Sequence, residues 1–155
     1  MTLQIGDTAP DFEYSTTTLH ETKGKKIVFF YPKAFTAGCT REVKSIQSSY
    51  DIIRENGYTV IGLSMDSGEK QAKFAESCEV EYELVSDRKG KVAKAYGVKF
   101  WFSILAVAKR VTFIVNEENE IIHIWDLGLS GQKTLLGLKS YGEELIEKLG
   151  IKNDN

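Results

Sequence analysis

Residues 26–64 change pattern twice. Lys26 to Tyr31 is an apolar, strand-like run, Thr40 to Glu55 repeats its apolar positions at helical spacing, and Tyr58 to Ser64 returns to β-forming residues. The alternation continues downstream. Gly68 to Ser77 reads as a helix, Leu84-Val85 as a short extended piece, and Lys89 to Tyr96 as a short helix stopped by Gly97. Val111 to Val115 is apolar on both faces, which fits a central strand. Asn116-Glu117-Glu118-Asn119 is a turn leading into a strand from Glu120 to Trp125, so the pair reads as a hairpin. Gln132 to Leu149 reads as a terminal helix ending at Gly150. Strands alternating with helices, then a hairpin and a helix, predict an α/β fold: a mixed central β-sheet flanked by helices on both faces.

At 155 residues the sequence predicts a single domain, 1–155, with a sizeable core. The 22 acidic and 20 basic side chains are spread along the chain, for a net charge of -2. Nothing in that distribution calls for nucleic acid or an anionic membrane as a partner. Residues 1–7 lack the basic stretch and apolar run of a signal peptide. The longest near-apolar run, Phe100 to Ala108, is too short to span a bilayer. Two cysteines make no disulfide framework, which leaves the cytoplasm as the expected compartment.

One of those cysteines, Cys39, stands where the first strand gives way to the first helix. Cys39, Val43, Ile46, Tyr50 and Ile53 step by four, three, four and three, so they share one stripe of a helix, facing inward. Cys39 can therefore be a small core residue. It can also be a reactive thiolate. The first turn of a helix presents unpaired N–H groups and favours negative charge. The thiolate is the nucleophile, and an ordinary thiol is only about a few per cent ionised at pH 7. Gly38 permits close backbone approach beside the sulfur. Thr36 has two readings as well, a helix N-cap or a hydroxyl directed at a substrate. Pro32 ends the strand and removes a donor.

At this point the residues carry a resemblance. Pro32-Lys33-Ala34-Phe35-Thr36-Ala37-Gly38-Cys39 resembles the P-x-x-x-T-x-x-C signature of peroxiredoxins. The wider stretch FFYPKAFTAGCTRE, residues 29–42, is similar to the Q-type subgroup, also called bacterioferritin comigratory proteins. Gly6 to Phe12, Ile61 to Asp66, Leu84 to Asp87 with Gly90 to Val98, and Arg110 to Val115 resemble further family segments in the family's order. The resemblance implies a thioredoxin-like fold and thiol-dependent reduction of hydrogen peroxide and organic hydroperoxides. It implies that Cys39 is the peroxidatic cysteine and that Thr36 hydrogen-bonds peroxide and sulfur. Pro32 then shields the thiolate from water, Arg110 pairs with sulfur and peroxide, and Glu42 helps to hold that arginine. The chemistry agrees, because charge moves from sulfur across the O–O bond and needs donors aimed where it develops. Read alone, Arg110 is also a plain solvated charge at a strand start.

Attack on peroxide leaves a sulfenic acid that a second thiol must resolve. Many Q-type members carry that thiol five residues after the first, where this chain has Lys44, and usually have proline where it has Ala37. Cys78, at the end of the Gly68–Ser77 helix, is the candidate resolving cysteine; the alternative is an idle cysteine and an outside thiol. His20 and His123 show no zinc-type spacing with the cysteines, so no metal and no cofactor is expected. Phe100 to Ala108 is expected to be core or the wall of a peroxide pocket, with a self-association patch as second reading.

The family implies antioxidant defence with a thioredoxin-like protein as reductant, since the chain has no C-x-x-C of its own, acting as a monomer or homodimer. A glutathione-peroxidase-like enzyme on the same fold is a poorer match, because its Trp-Asn-Phe segment is absent. The rival from another class is a thioredoxin-fold redox sensor or binding module without efficient peroxide turnover.

Overall fold

The computed structural model describes residues 3–102, 104–126 and 141–151. Its strands are β1 (Glu13–Tyr14), β2 (Thr17–Thr18), β3 (Lys25–Phe30), β4 (Tyr58–Ser64), β5 (Glu83–Ser86), β6 (Lys99–Phe102), β7 (Leu105–Ala108), β8 (Val111–Val115) and β9 (Ile121–Asp126). The helices are α1 (Ala37–Ser48), α2 (Tyr50–Glu55), α3 (Gly68–Cys78), α4 (Lys91–Ala95) and α5 (Tyr141–Lys148).

Five strands form the central sheet in the order β5-β4-β3-β8-β9. β3, β4 and β5 run parallel, while β8 is antiparallel to both β3 and β9. β3 lies in the middle because both of its faces are apolar. Ile27, Phe29 and Tyr31 enter one core, with Val43, Ile46 and Ile53 of α1 and α2, Phe74 and Cys78 of α3, and Leu145 and Ile146 of α5. Val28 and Phe30 enter the other, with Ala93 of α4, Phe12, Leu19 and Phe113. The mixed sheet with helices on both faces is thus the one the alternation predicts. Burying two faces of apolar strands supplies the main favourable term in folding. No helix among the described residues is long and apolar enough to cross a membrane.

Three local features depart from the pattern. The helix expected from Thr40 to Glu55 is broken at Ser49, whose φ of -104° and ψ of 2° are not helical. Helix α5 presses on that break. A Cβ added to Gly142 would lie 2.3 Å from the Ser45 carbonyl oxygen and 2.7 Å from Ser49 Oγ. The Gly142 N–H donates to Ser45 Oγ at 2.7 Å. Second, the N-terminal hairpin β1–β2 is too short to leave a period, and Ser15 makes its turn with φ of 52°. Third, Phe100 to Ala108 is not mainly core or pocket wall. It forms most of a separate two-stranded hairpin, β6–β7, and exposes Trp101, Ile104 and Leu105 by 64%, 86% and 61%. The two strands pair with each other, and the exposed side chains gather at the tip, with Trp101 on one face and Leu105 on the other; Ala108, at the base, is buried. Of the expected terminal helix, Tyr141 to Lys148 is helical and residues 132–140 lie outside the described residues.

Candidate active site

The site is assembled at the end of β3. The Tyr31 N–H still donates to the Leu63 carbonyl at 3.0 Å, extending the ladder with β4 by one residue. Pro32 has no N–H and stops it. Helix α1 starts five residues later, with Thr36 as its N-cap residue in extended geometry, φ -77° and ψ 153°. The Thr36 carbonyl accepts the first helical bond from the Thr40 N–H at 2.9 Å. Its hydroxyl does not cap the helix, contrary to the simplest reading of a threonine there. That hydroxyl instead donates to the Lys33 carbonyl at 2.8 Å, closing the loop on itself.

Cys39 is the third residue of α1 and is fully buried. The stripe it begins does face inward: Val43, Ile46 and Ile53 are also buried, and Tyr50, beside the break, is half-buried. Helix geometry gives the N–H groups of this first turn no intrahelical acceptor. The topology then delivers the arginine. Antiparallel pairing sets Phe30 opposite Val111, so one further step sets Arg110 opposite Tyr31. Arg110 is 6% exposed. Its Nη2 donates to Cys39 Sγ at 3.3 Å and its Nη1 donates to Glu42 Oε1 at 3.0 Å. Glu42 follows Cys39 by three residues, so both face the arginine from one side of α1.

Arg110 and Glu42 carry opposite charges, and ionising the sulfur adds negative charge beside them in a buried site. The guanidinium and the first-turn N–H groups are the groups placed to meet it. Pro32 is half-buried and Thr36 is exposed, so the loop runs from the covered end of β3 out to the surface just before Cys39. Between them Phe35 takes a left-handed φ of 65°, uncommon for a bulky side chain, and is 49% exposed. Its ring lies 5.1 Å from that of Phe74 on α3.

Cys78 is the last residue of α3, is 5% exposed, and lies in the same core as Cys39. Both cysteines are free thiols. Burial pushes the Cys78 thiol above its ordinary pKa, and the nearby Lys44 charge pulls it part of the way back. The two histidines are placed elsewhere. His20 Nε2 is 2.6 Å from the Ala9 carbonyl oxygen, and His123 is on β9.

Several polar residues around the loop escape a reading from sequence. The buried Tyr31 hydroxyl donates to Gln71 Oε1, whose amide donates to the Val85 carbonyl at 2.9 Å. The Ala34 N–H donates to Asp66 Oδ2 at 2.7 Å. Gln71 did leave a signal, since it shares an inward stripe of α3 with Phe74 and Cys78. Asp66 left only its place at the end of the family-like segment Ile61 to Asp66, with nothing to mark a role for its carboxylate.

Known proteins point the same way. A sequence profile described as the AhpC/TSA family matches residues 5–124. Peroxiredoxin Bcp of Bacillus subtilis is 36% identical over 136 residues, which are 81% of this chain and 86% of that protein. The crystal structure of peroxidoxin BcpB from Mycobacterium tuberculosis superposes with a TM-score of 0.77 at 29% identity, over 96% of this chain and 95% of that one. A PrxQ variant from Xylella fastidiosa superposes with a TM-score of 0.78, over 97% of each chain; at 22% identity it speaks to the fold alone. The profile match, the Bcp relatives and the shared architecture make this chain a member of the AhpC/TSA family, within its Bcp or Q-type peroxiredoxins, and so a thiol-dependent peroxidase of thioredoxin-like fold.

Proposed function

We propose that Cys39 is the peroxidatic residue, acting with Thr36, Arg110 and Pro32 and supported by Gly38 and Glu42. One observation carries this reading: a single buried guanidinium bonds both Cys39 Sγ, at 3.3 Å, and Glu42 Oε1, at 3.0 Å. The Cys39 thiolate attacks the nearer oxygen of hydrogen peroxide or an organic hydroperoxide. An S–O bond forms as the O–O bond breaks, and the electron pair leaves on the far oxygen as hydroxide or alkoxide, which takes up a proton. Arg110 and the backbone N–H groups near Gly38 and Cys39 stabilise the charge as it moves. The Thr36 hydroxyl is a rotor and can turn from Lys33 to a bound peroxide. Pro32 offers no N–H and helps to keep water from the sulfur.

The product is a sulfenic acid on Cys39. The Cys78 thiol then attacks that sulfur, forming a disulfide and releasing water. A thioredoxin-like dithiol reduces the disulfide and becomes oxidised in turn. A disulfide needs the two Cα atoms within about 7 Å. The end of α3, capped by Glu79 at a left-handed φ of 54°, is where that helix opens at least cost. The chain works as one domain in the cytoplasm, as a monomer or homodimer, in antioxidant defence. Peptide mapping after one equivalent of peroxide tests the cycle. The expected result is loss of two hydrogens with a Cys39–Cys78 link. A stable added oxygen or a disulfide-linked dimer contradicts the role of Cys78, and an unmodified Cys39 contradicts the whole reading.

A further inference from the structure

Among the described residues, the loop between β3 and α1 is tied to the rest of the molecule at few points. Tyr31 is bonded to Leu63 through its N–H, Pro32 has no N–H, and the following tie is at Ala34. The Ala34 N–H, on a residue 2% exposed, donates to Asp66 Oδ2 at 2.7 Å. A bond to a carboxylate is stronger than one between neutral groups. The carboxylate is itself fixed. Ser64 Oγ donates to the same oxygen at 2.7 Å, and Lys70 Nζ lies 3.4 Å from Oδ1, on an Asp66 side chain only 8% exposed. The Ser86 hydroxyl donates to the Asp66 carbonyl at 2.6 Å and so pins its backbone. The ends of β4 and β5, the first turn of α3 and the loop all meet at this one residue.

We propose that Asp66 is a positioning residue of the peroxide site. Through the Ala34 N–H its carboxylate holds the Pro32–Thr36 segment, and with it the Thr36 hydroxyl and the start of α1, in register over the Cys39 sulfur. Asp66 touches neither sulfur nor peroxide. It acts through the loop, and the proposal rests on Cys39 being the peroxidatic residue. Misplacing an aligned site by about 1 Å costs on the order of a hundredfold in rate. Loosening the loop also admits reagents to a sulfur that is otherwise fully buried.

Two rates on the full-length protein separate positioning from general damage: single-turnover oxidation of Cys39 by hydrogen peroxide, and its alkylation by iodoacetamide in the Cys78→Ser background. Asp66→Ala is expected to lower the first by about tenfold to a hundredfold and to raise the second. Asp66→Asn keeps an oxygen that accepts from Ala34 and is expected to restore most of both rates. Should Asp66→Ala not fold, Ser64→Ala, which frees the carboxylate, is expected to move both rates in the same directions by less. The proposal is overturned if the alanine variant oxidises within twofold of wild type, if asparagine rescues nothing, or if both rates fall together. Cys39→Ser run alongside separates the two readings: if that variant still reduces peroxide, the site assignment itself has failed.

Discussion

Arg110 is bonded as a fork rather than as a point charge, with one Nη on Cys39 and the other on Glu42. Removing it takes away the donor that the sulfur and the carboxylate share in a buried site. We expect Arg110→Ala to lower kcat/KM for hydrogen peroxide by about a hundredfold to a thousandfold. Arg110→Lys keeps the charge but cannot span both partners with one planar group, so it should recover only part of that loss; steady-state assays with a thioredoxin-like reductant measure both. The second thiol makes a pH prediction. Burial raises the Cys78 pKa above its ordinary value, so its reactive thiolate accumulates only at higher pH, and the Lys44 charge limits the rise. Disulfide formation should therefore keep quickening with pH beyond about 8.5, where an ordinary thiol levels off, and Lys44→Met should carry that rise to higher pH; quenched time courses across the range decide it. Lys44, where many relatives carry a thiol, thus has a physical part in a reaction that uses Cys78. Cys39 and Thr36 stood out in the sequence through the spacing of one motif, and Arg110 through a separate family-like segment; the structure brings Arg110 to Cys39. Asp66 did not stand out, because its partner is a backbone N–H and any loop residue supplies one.

The five strands of the central sheet and most helices could be read from periodicity, and the rest was either too short to leave a period or depends on contacts between elements. The break at Ser49 follows from the approach of α5, which no local pattern records. A Cβ at position 142 would meet the Ser45 carbonyl, a backbone atom that cannot swing away. Gly142→Ala should therefore destabilise the fold by about 1–3 kcal/mol, seen as a lower midpoint in thermal or urea unfolding. The same helix supplies a pH effect. Lys148 of α5 lies over the Trp125 ring of β9 at 4.9 Å. On β9, burial first and the Lys148 charge second lower the pKa of His123 below its ordinary value. The folded state then resists a proton that the unfolded chain accepts. The contribution is neutral well above about pH 6.5 and becomes destabilising as pH falls through that value toward the folded pKa. The melting temperature should drop from pH 7.5 to 5.5, with a smaller drop in His123→Asn. Hairpin β6–β7 is the opposite lesson. An apolar run suggests burial, yet its strands find their hydrogen bonds in each other and leave Trp101 and Leu105 outside.

On the scale of the whole molecule, the fold is a device for bringing distant chemistry together. Arg110 is 71 residues from Cys39 in sequence and 3.3 Å away in space. Parallel pairing of β3 with β4 puts Asp66 beside the loop, and antiparallel pairing of β3 with β8 puts Arg110 beside the sulfur. Both meet where β3 ends and α1 begins, at the helix end that favours negative charge. The mixed sheet was predictable from the order of elements. The register that lines up Phe30 with Val111, and so fixes Arg110, belongs to long-range packing. The most direct test is peroxide consumption with a thioredoxin-like reductant by wild type, Cys39→Ser and Cys78→Ser. Cys39→Ser is expected to show no turnover above background, and Cys78→Ser a single rapid equivalent of peroxide consumed followed by slow or absent turnover. Full activity in Cys39→Ser would overturn Cys39 as the peroxidatic residue.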